Sequence, residues 1–351
     1  MIDITKHPEY DNHELVSFFF DKKTGLRGII AIHSTILGPA VGGTRYFNYK
    51  TESEALDDVL RLSRGMTYKC AISKAHFGGG KAVIIADPKK KKTKEYLKAY
   101  AKQVNRLNGL FFTGEDVGMS MNDIKVLIKE SPFIIGNPKK AGDPSPWAAL
   151  GVFYAIEQSL EIIDKKRGLA GYTVAIKGLG KVGMELARLL YKQGVILIGA
   201  DVDILRNKEF LHRFPGSKIV PVSEIHKQKV DVYSPCALGK EFNKKTINQL
   251  KCRVVCGSAN NQLVDPKDGL LLYKRNIIYI TDYLANAGGL INVIADLNQK
   301  KYSKKTIQKN VFKIKATVKE IIALSRKNKQ PTNIITDLVA EQFILKNKKN
   351  N

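Results

Sequence analysis

The chain has 351 residues, 44% of them hydrophobic and 26% charged, the make-up of an ordinary globular protein long enough to fill two cores. No apolar run approaches the length that spans a bilayer, and Met1 to Tyr10 hold charges and no apolar secretion segment, so a cytoplasmic protein with no membrane partner is expected. A formal net charge of +25 raises nucleic acid as a partner, yet the lysines are dispersed, and the clusters Lys89 to Lys92, Lys300 to Lys305 and Lys346 to Asn351 lack interleaved aromatics, which argues against specific nucleic-acid binding.

In chain order, Leu15 to Phe20 and Gly28 to His33 read as strands around a hairpin turn at Asp21 to Gly25. Ser53 to Arg64 reads as a helix and Ala82 to Ile85 as a buried strand. The spacing of Tyr96, Leu97, Tyr100 and Val104 predicts a helix over Lys94 to Leu107, followed by a strand at Leu110 to Thr113. Residues 137–146 hold Asn-Pro and Asp-Pro-Ser-Pro, which deny helix on both sides and predict a hinge before a long helix, Trp147 to Ile163. Five strands alternating with helices follow: Thr173 to Ile176, Val195 to Ala200, Val230 to Tyr233, Arg253 to Cys256 and Ile277 to Ile280. That alternation predicts a parallel, doubly wound sheet. The tail, Val311 to Leu345, reads as mostly helical. The expected fold is α/β with two domains: a mixed α/β domain over 1–143, joined by a C-terminal helix at 331–351, and a Rossmann-type domain over 144–330.

The most specific motif is Gly178-Leu179-Gly180-Lys181-Val182-Gly183, which leaves an apolar strand and enters a helix that ends at Gly194. In such a turn the first glycine permits the tight bend, the second admits a pyrophosphate and the third lets helix and strand pack closely. Asp201 ends the next apolar strand about twenty residues on, where a carboxylate suits a ribose 2′-hydroxyl and repels a 2′-phosphate. NAD rather than NADP is the expected cofactor; a strand, turn and helix without a ligand is the competing reading. The loops Gly257-Ser258-Ala259-Asn260-Asn261 and Asn286-Ala-Gly-Gly289 follow strands, at the edge where open α/β sheets bind ligands, although asparagine loops also simply make turns.

Lys69 and Lys81 lie beside apolar or glycine-rich sequence. A lysine near another cation and shielded from water loses its proton more easily and acts as a base, while its partner holds a carboxylate; two surface lysines are the alternative. Gly78 to Lys81 is no P-loop, since Ala82 replaces the required Ser or Thr. Asp116 follows a short strand, placed either to shuttle protons or to cap the helix predicted at Ser120 to Lys129. Cys70, Cys236, Cys252 and Cys256 lack metal or disulfide spacing and read as free thiols, and six scattered histidines give no metal pair at helical spacing.

The segments Leu37 to Arg45, Arg64 to Lys69, Gly78 to Lys81, Gly114 to Gly118, Pro144 to Pro146, Pro235 to Gly239, Gly257 to Leu263 and Asp282 to Gly289 together resemble the glutamate/leucine/phenylalanine/valine dehydrogenase family, nearest its leucine branch. The resemblance implies NAD-dependent oxidative deamination of an L-amino acid to a 2-oxo acid, reversible, in a homo-oligomer such as a dimer or octamer. It implies that Lys69 binds the substrate carboxylate, that Lys81 is the general base for water, and that Asp116 handles the amino-group proton. Gly42 and Gly43 would let the carboxylate approach the backbone, Asn286 would hold substrate, and Asn261 would lie by the nicotinamide. Val41, Gly114, Leu290 and Val293 match the side-chain pocket. Valine at 41 in place of leucine and glycine at 114 in place of alanine would enlarge it, so an aromatic substrate stands beside a branched-chain one. Cys70, His76 and Asp143 stand where the leucine branch carries asparagine. A Schiff-base lysine enzyme, a basic nucleic-acid-binding protein and a catalytically degenerate relative are the other readings; the first leaves the glycine motif unexplained, and the retained lysines and Asp116 argue against the last.

Overall fold

A computed structural model describes residues 3–138, 140–297 and 302–348, so part of the lysine cluster at 300–305 and the last three residues lie outside it. The chain divides into two compact units. The first comprises the described residues within Met1–Asp143, Val293–Tyr302 and Ala340–Asn351; the second, Pro144–Asn292 and Ser303–Val339.

The first unit opens with the antiparallel pair β1 (Leu15–Asp21) and β2 (Leu26–Ser34), then β3 (Ala40–Phe47), α1 (Glu52–Ile72), β4 (Gly78–Ile85), α2 (Lys94–Arg106), β5 (Phe111–Glu115) and α3 (Met121–Glu130). Its sheet order is β1-β2-β4-β3-β5, antiparallel across β2/β4 and parallel across β4/β3 and β3/β5. Alternate residues of a strand face opposite sides. Ala82 and Ile84 therefore join Tyr100, Val104 and Leu127 of α2 and α3, while Val83 and Ile85 pack on Ala55, Val59 and Leu60 of α1.

Two elements differ from the sequence reading. Strand β3 was hidden by Gly42 and Gly43, which interrupt its apolar pattern. Helix α1 continues past Arg64 to Ile72, which carries Lys69 into its last turn. It passes so close to β4 that a Cβ on Gly79 would lie 2.0 Å from the Thr67 nitrogen.

The second unit holds α4 (Ser145–Asp164), β6 (Thr173–Lys177), α5 (Lys181–Tyr191), β7 (Ile196–Ala200), α6 (Ile204–Arg213), β8 (Lys218–Ile219), β9 (Val232–Pro235), α7 (Lys244–Gln249), β10 (Val254–Cys256), α8 (Asp268–Lys274), β11 (Ile278–Ile280) and α9 (Asp282–Ala285). Then come α10 (Ala287–Ala295), α11 (Lys304–Phe312), α12 (Ile314–Asn328) and α13 (Thr332–Lys348). The sheet is parallel in the order β11-β10-β9-β6-β7-β8, the doubly wound arrangement whose switch point lies between β6 and β9.

The helix expected from Trp147 begins two residues earlier, within the proline segment: Pro144 is the N-cap of α4 and Pro146 sits in the first turn, where a missing N–H costs no helical bond. The sequence reading assigns 331–351 to the first unit; the structure divides that helix. Thr332, Asn333 and Asp337 bond to the Tyr279 carbonyl, the Pro266 carbonyl and the Tyr283 hydroxyl of the second unit. Glu341 and Phe343 meet Tyr68 and His76 of the first.

The Gly79–Thr67 approach makes a contrast within one helix–strand pair. Gly79→Ala is expected to destabilise the protein by about 1–3 kcal/mol through overpacking. Gly65→Ala, in mid-helix with nothing within 4 Å of its Cβ position, is expected to stabilise it by roughly 0.5–1 kcal/mol. Urea unfolding of the two variants measures both.

Candidate active site

Within the first unit, Lys81 stands inside β4, on the face that meets α1. Its side chain is only 8% exposed, and its Nζ lies 3.0 Å from Asp116 Oδ2. The same oxygen receives a hydrogen bond from Arg45 Nε, also at 3.0 Å. Arg45 Nη1 bonds Asp58 Oδ2 of α1 at 2.8 Å, and the Tyr49 hydroxyl donates to that oxygen at 2.6 Å. The cap reading of Asp116 fails, because Ser120 caps α3 in a capping box with Asp123. Burial pushes the Asp116 carboxyl up, but the Lys81 ammonium and the Arg45 guanidinium more than offset it, leaving it lowered to about 2. Arg45 is likewise pushed down by burial and raised overall by Asp116 and Asp58.

Gly43 permits this cluster. A Cβ there would lie 2.7 Å from the Glu115 carbonyl and 2.8 Å from Asp116 Cβ, so the residue is small because the end of β5 crowds it. Gly42 is similarly pressed, 1.8 Å from the Gly80 carbonyl at its Cβ position and 3.3 Å from Met66 Cγ. The strand neighbours thus account for both glycines, which the sequence reading had ascribed to a carboxylate's approach. Met66 lies one turn before Lys69, and Lys69 shares its face of α1 with Asp58, about three turns away. Its side chain is half-buried.

Val41 is fully buried. The space that Gly114 leaves is already taken, since a Cβ there would meet the Ile135 carbonyl at 2.9 Å and Ile135 Cγ1 at 3.2 Å. That corrects the expectation of a pocket enlarged at 114. Leu290 and Val293 sit one turn apart on α10.

In the second unit the three glycines of the motif differ in what surrounds them. Gly178 has φ +93° and a Cβ position 2.8 Å from Ala237, in the crevice between β6 and β9; at Gly183 the Cβ position is 1.9 Å from the Gly178 carbonyl. Gly180 faces open space, its one neighbour within 4 Å among the described residues being Arg206 Nη1 at 3.6 Å. It caps α5 without a side-chain hydrogen bond, and Leu179 and Val182 flank it. This open, N–H-lined turn fits a pyrophosphate. Asp201 accepts from the Leu179 N–H at 2.6 Å and the Asp203 N–H at 2.9 Å. It ties the turn to the end of β7 and retains acceptor capacity for a hydroxyl.

The loops after β9, β10 and β11 are locked together. The Ala259 N–H donates to the Pro235 carbonyl and the Asn261 N–H to Asp282, while the Asn261 carbonyl accepts from Lys240. Asn286 Nδ2 donates to the Ser258 carbonyl and to Asn260 Oδ1 at 3.0 and 2.8 Å. Its Oδ1 is buried with no hydrogen-bond partner among the described residues, an acceptor suited to an ammonium or a carboxamide N–H.

Arg45 is the residue of this cluster that sequence reasoning missed, and Met66 packs beside Gly42. Both stand inside motifs it had singled out, Leu37 to Arg45 and Arg64 to Lys69, but gave no role.

A strand-order switch point with a glycine turn open to a pyrophosphate marks the second unit as a dinucleotide-binding fold, and the first unit carries a lysine–carboxylate pair with Lys81 buried. Residues 13–132 match the model of the Glu/Leu/Phe/Val dehydrogenase dimerisation domain, and residues 200–348 that of the Glutamate/Leucine/Phenylalanine/Valine dehydrogenase domain. Leucine dehydrogenase of Geobacillus stearothermophilus is 39% identical over 98% of this chain and 94% of its own length. Phenylalanine dehydrogenase of Caldalkalibacillus thermarum is 44% identical over 85% of this chain and 83% of its own. The crystal structure of L-tryptophan dehydrogenase from Nostoc punctiforme superposes with a TM-score of 0.83 at 39% identity, covering 96% of this chain and 97% of that one. The chain belongs to the Glu/Leu/Phe/Val dehydrogenase family and is an amino acid dehydrogenase.

The lowered Asp116 carboxyl couples the site to stability. Its charged form is favoured in the fold, so its contribution, about 2 kcal/mol, is fully present above the unfolded value near 4 and is lost as pH falls toward 2. Asp116→Asn is expected to flatten that part of the stability–pH curve, measured by urea unfolding between about pH 5 and pH 2.

Proposed function

We propose that the protein catalyses the NAD-dependent oxidative deamination of a branched-chain L-amino acid, leucine above all, to its 2-oxo acid and ammonia, and the reverse amination. The observation that carries this reading is the buried Lys81–Asp116 pair. Near-full-length similarity to leucine dehydrogenases supports the substrate, as does the Ile135 chain that fills the space beside Gly114. Phenylalanine is the second reading, favoured by relatives that are 44% identical.

NAD, when bound, supplies the hydride acceptor. Gly178, Leu179, Gly180, Val182 and Gly183 would hold its pyrophosphate and Asp201 its adenosine ribose, while Ser258, Ala259, Asn260 and Asn261 would flank the nicotinamide. Lys69 pairs with the substrate carboxylate. Asp116, held as a carboxylate, receives the amino-group proton. Lys81, once neutral, takes a proton from the water that attacks Cα of the imino acid, and ammonia leaves as the 2-oxo acid forms. Asn286 Oδ1 accepts from the substrate ammonium or the cofactor amide.

The test is reduction of NAD, with NADP in parallel, by purified protein offered leucine, valine, isoleucine, phenylalanine, tryptophan and glutamate. Turnover is expected on the branched-chain set with NAD, and preference for phenylalanine would replace the leucine reading. Lys81→Ala is expected to lower kcat by about 10²–10⁴-fold with NADH binding retained; a fully active variant removes Lys81 as the base.

Self-association is part of the same proposal. Strand β1 is a sheet edge, with Phe18 and Phe20 on one face, 52% and 65% exposed, a combination that invites a second copy. The dimerisation domain named by the family model covers this strand. The double variant Phe18→Asp, Phe20→Asp is expected to sediment as a smaller species than the wild type. No helix among the described residues is long and apolar enough to cross a membrane, and the four cysteines are free, which suits work in the cytoplasm.

A further inference from the structure

Asp116 Oδ2 accepts from two cations at 3.0 Å each, Lys81 Nζ and Arg45 Nε. A carboxylate beside a lysine favours the ammonium form, which is the wrong form for a base. Lys81 therefore faces a conflict. It needs Asp116 close for the amine proton, yet an unopposed Asp116 would keep it charged. Arg45 is the group that opposes it. The guanidinium cannot deprotonate, and it spends its charge on the same carboxylate oxygen that Lys81 uses.

We propose that Arg45 is a positioning residue for the deamination reaction: it holds Asp116 in place and shares its charge, which weakens the hold of that carboxylate on the Lys81 ammonium. This rests on the reading of Lys81 as the base. Arg45 is itself tuned from α1 by Asp58, which takes part of its charge through Nη1 at 2.8 Å. The charged groups in contact within the cluster include Arg45 on β3, Lys81 on β4, Asp58 on α1 and Asp116 after β5, with the neutral Tyr49 hydroxyl donating to Asp58 and half-buried Lys69 on the same face of α1 as Asp58. Exposures of 8–18% across Arg45, Lys81, Asp58 and Asp116 leave little water between them, so each charge acts strongly on the next.

The experiment is the pH profile of kcat/KM for deamination, whose acidic limb reports groups of the free enzyme; the substrate's own titration is common to every variant. Arg45→Gln is expected to move the acidic limb up by about one pH unit, and Arg45→Lys, which keeps a cation, to hold it close to the wild-type position. Asp58→Asn is expected to move the limb the other way, down, because it frees more of the Arg45 charge. If Arg45→Gln lowers kcat/KM equally at every pH and leaves the limb in place, its role is only structural and the proposal is overturned. If Arg45→Gln does not fold, Asp58→Asn decides: a limb unmoved or raised overturns the proposal. Lys81→Ala separates the two readings. Lost activity there with an unmoved limb in Arg45→Gln discards the Arg45 inference alone, whereas an active Lys81→Ala with the wild-type limb discards the base reading.

Discussion

One carboxylate oxygen organises the first unit. Buried charges persist only when paired, and Asp116 Oδ2 pairs two of them at once. The sheet is built around that requirement. Strand β3 runs between β4 and β5, so Arg45 and Lys81 on adjacent strands meet Asp116 just past the end of β5. Gly43 removes the one side chain that would hold β5 and its following turn away. With Asp58 included, the cluster holds two cations and two anions and is neutral while Lys81 is protonated. Withdrawing that proton would leave it with one net negative charge in a poorly hydrated place, a cost that the proposed role of Arg45 would limit. The same cations make Asp116 a firm carboxylate, which under the proposed mechanism lets it receive a proton and not donate one first.

The second unit solves a different problem with backbone. Its parallel sheet brings the carboxyl ends of β6, β7, β9, β10 and β11 to one edge, and the turns there are fastened by a few polar side chains: Asp201 on the glycine turn, Asn286 across the loop after β10, Asp282 on Asn261. The fastening leaves open what a ligand needs. Gly180 faces space, and Asn286 keeps one buried oxygen unpaired among the described residues. Rigid loops with a few unsatisfied groups recognise a ligand without first paying to order themselves.

Much of this is legible in the chain. The glycine motif announces itself because Gly178 and Gly183 are each demanded by a close contact while Gly180 leaves open space, and a strand before and a helix after make the context readable. Lys81 and Asp116 are legible as residue types near turns, but their pairing is not, because it depends on a strand order that local sequence does not encode. Strand β3 was hidden for the same reason that it matters: its glycines, which break the apolar pattern, are what admit the neighbouring strands. Arg45 passes as one more basic residue in a chain rich in them until the register sets it beside Val83 and over Asp58. The far end of α1 was missed because Gly65 reads as a helix breaker, whereas packing on β4 outweighs a propensity cost of about 1 kcal/mol.

Substrate choice shows where counting atoms in a sequence misleads. Glycine for alanine at 114 subtracts a methyl group, and on paper the volume passes to the ligand. In the fold it passes to Ile135, whose carbonyl and side chain close over the position. A residue's size therefore bears on a pocket only if its Cβ points into one, and at 114 it points into protein. The other residues that the family resemblance matches to the side-chain pocket, Val41, Leu290 and Val293, are all aliphatic. Each methylene among them is worth only about 1–3 kcal/mol of discrimination, which separates leucine from its near neighbours by modest factors. A side-chain carboxylate is a different matter: burying it against aliphatic residues alone costs far more than a methylene, so a lining of that kind would reject glutamate by charge where it would merely grade the apolar amino acids by shape.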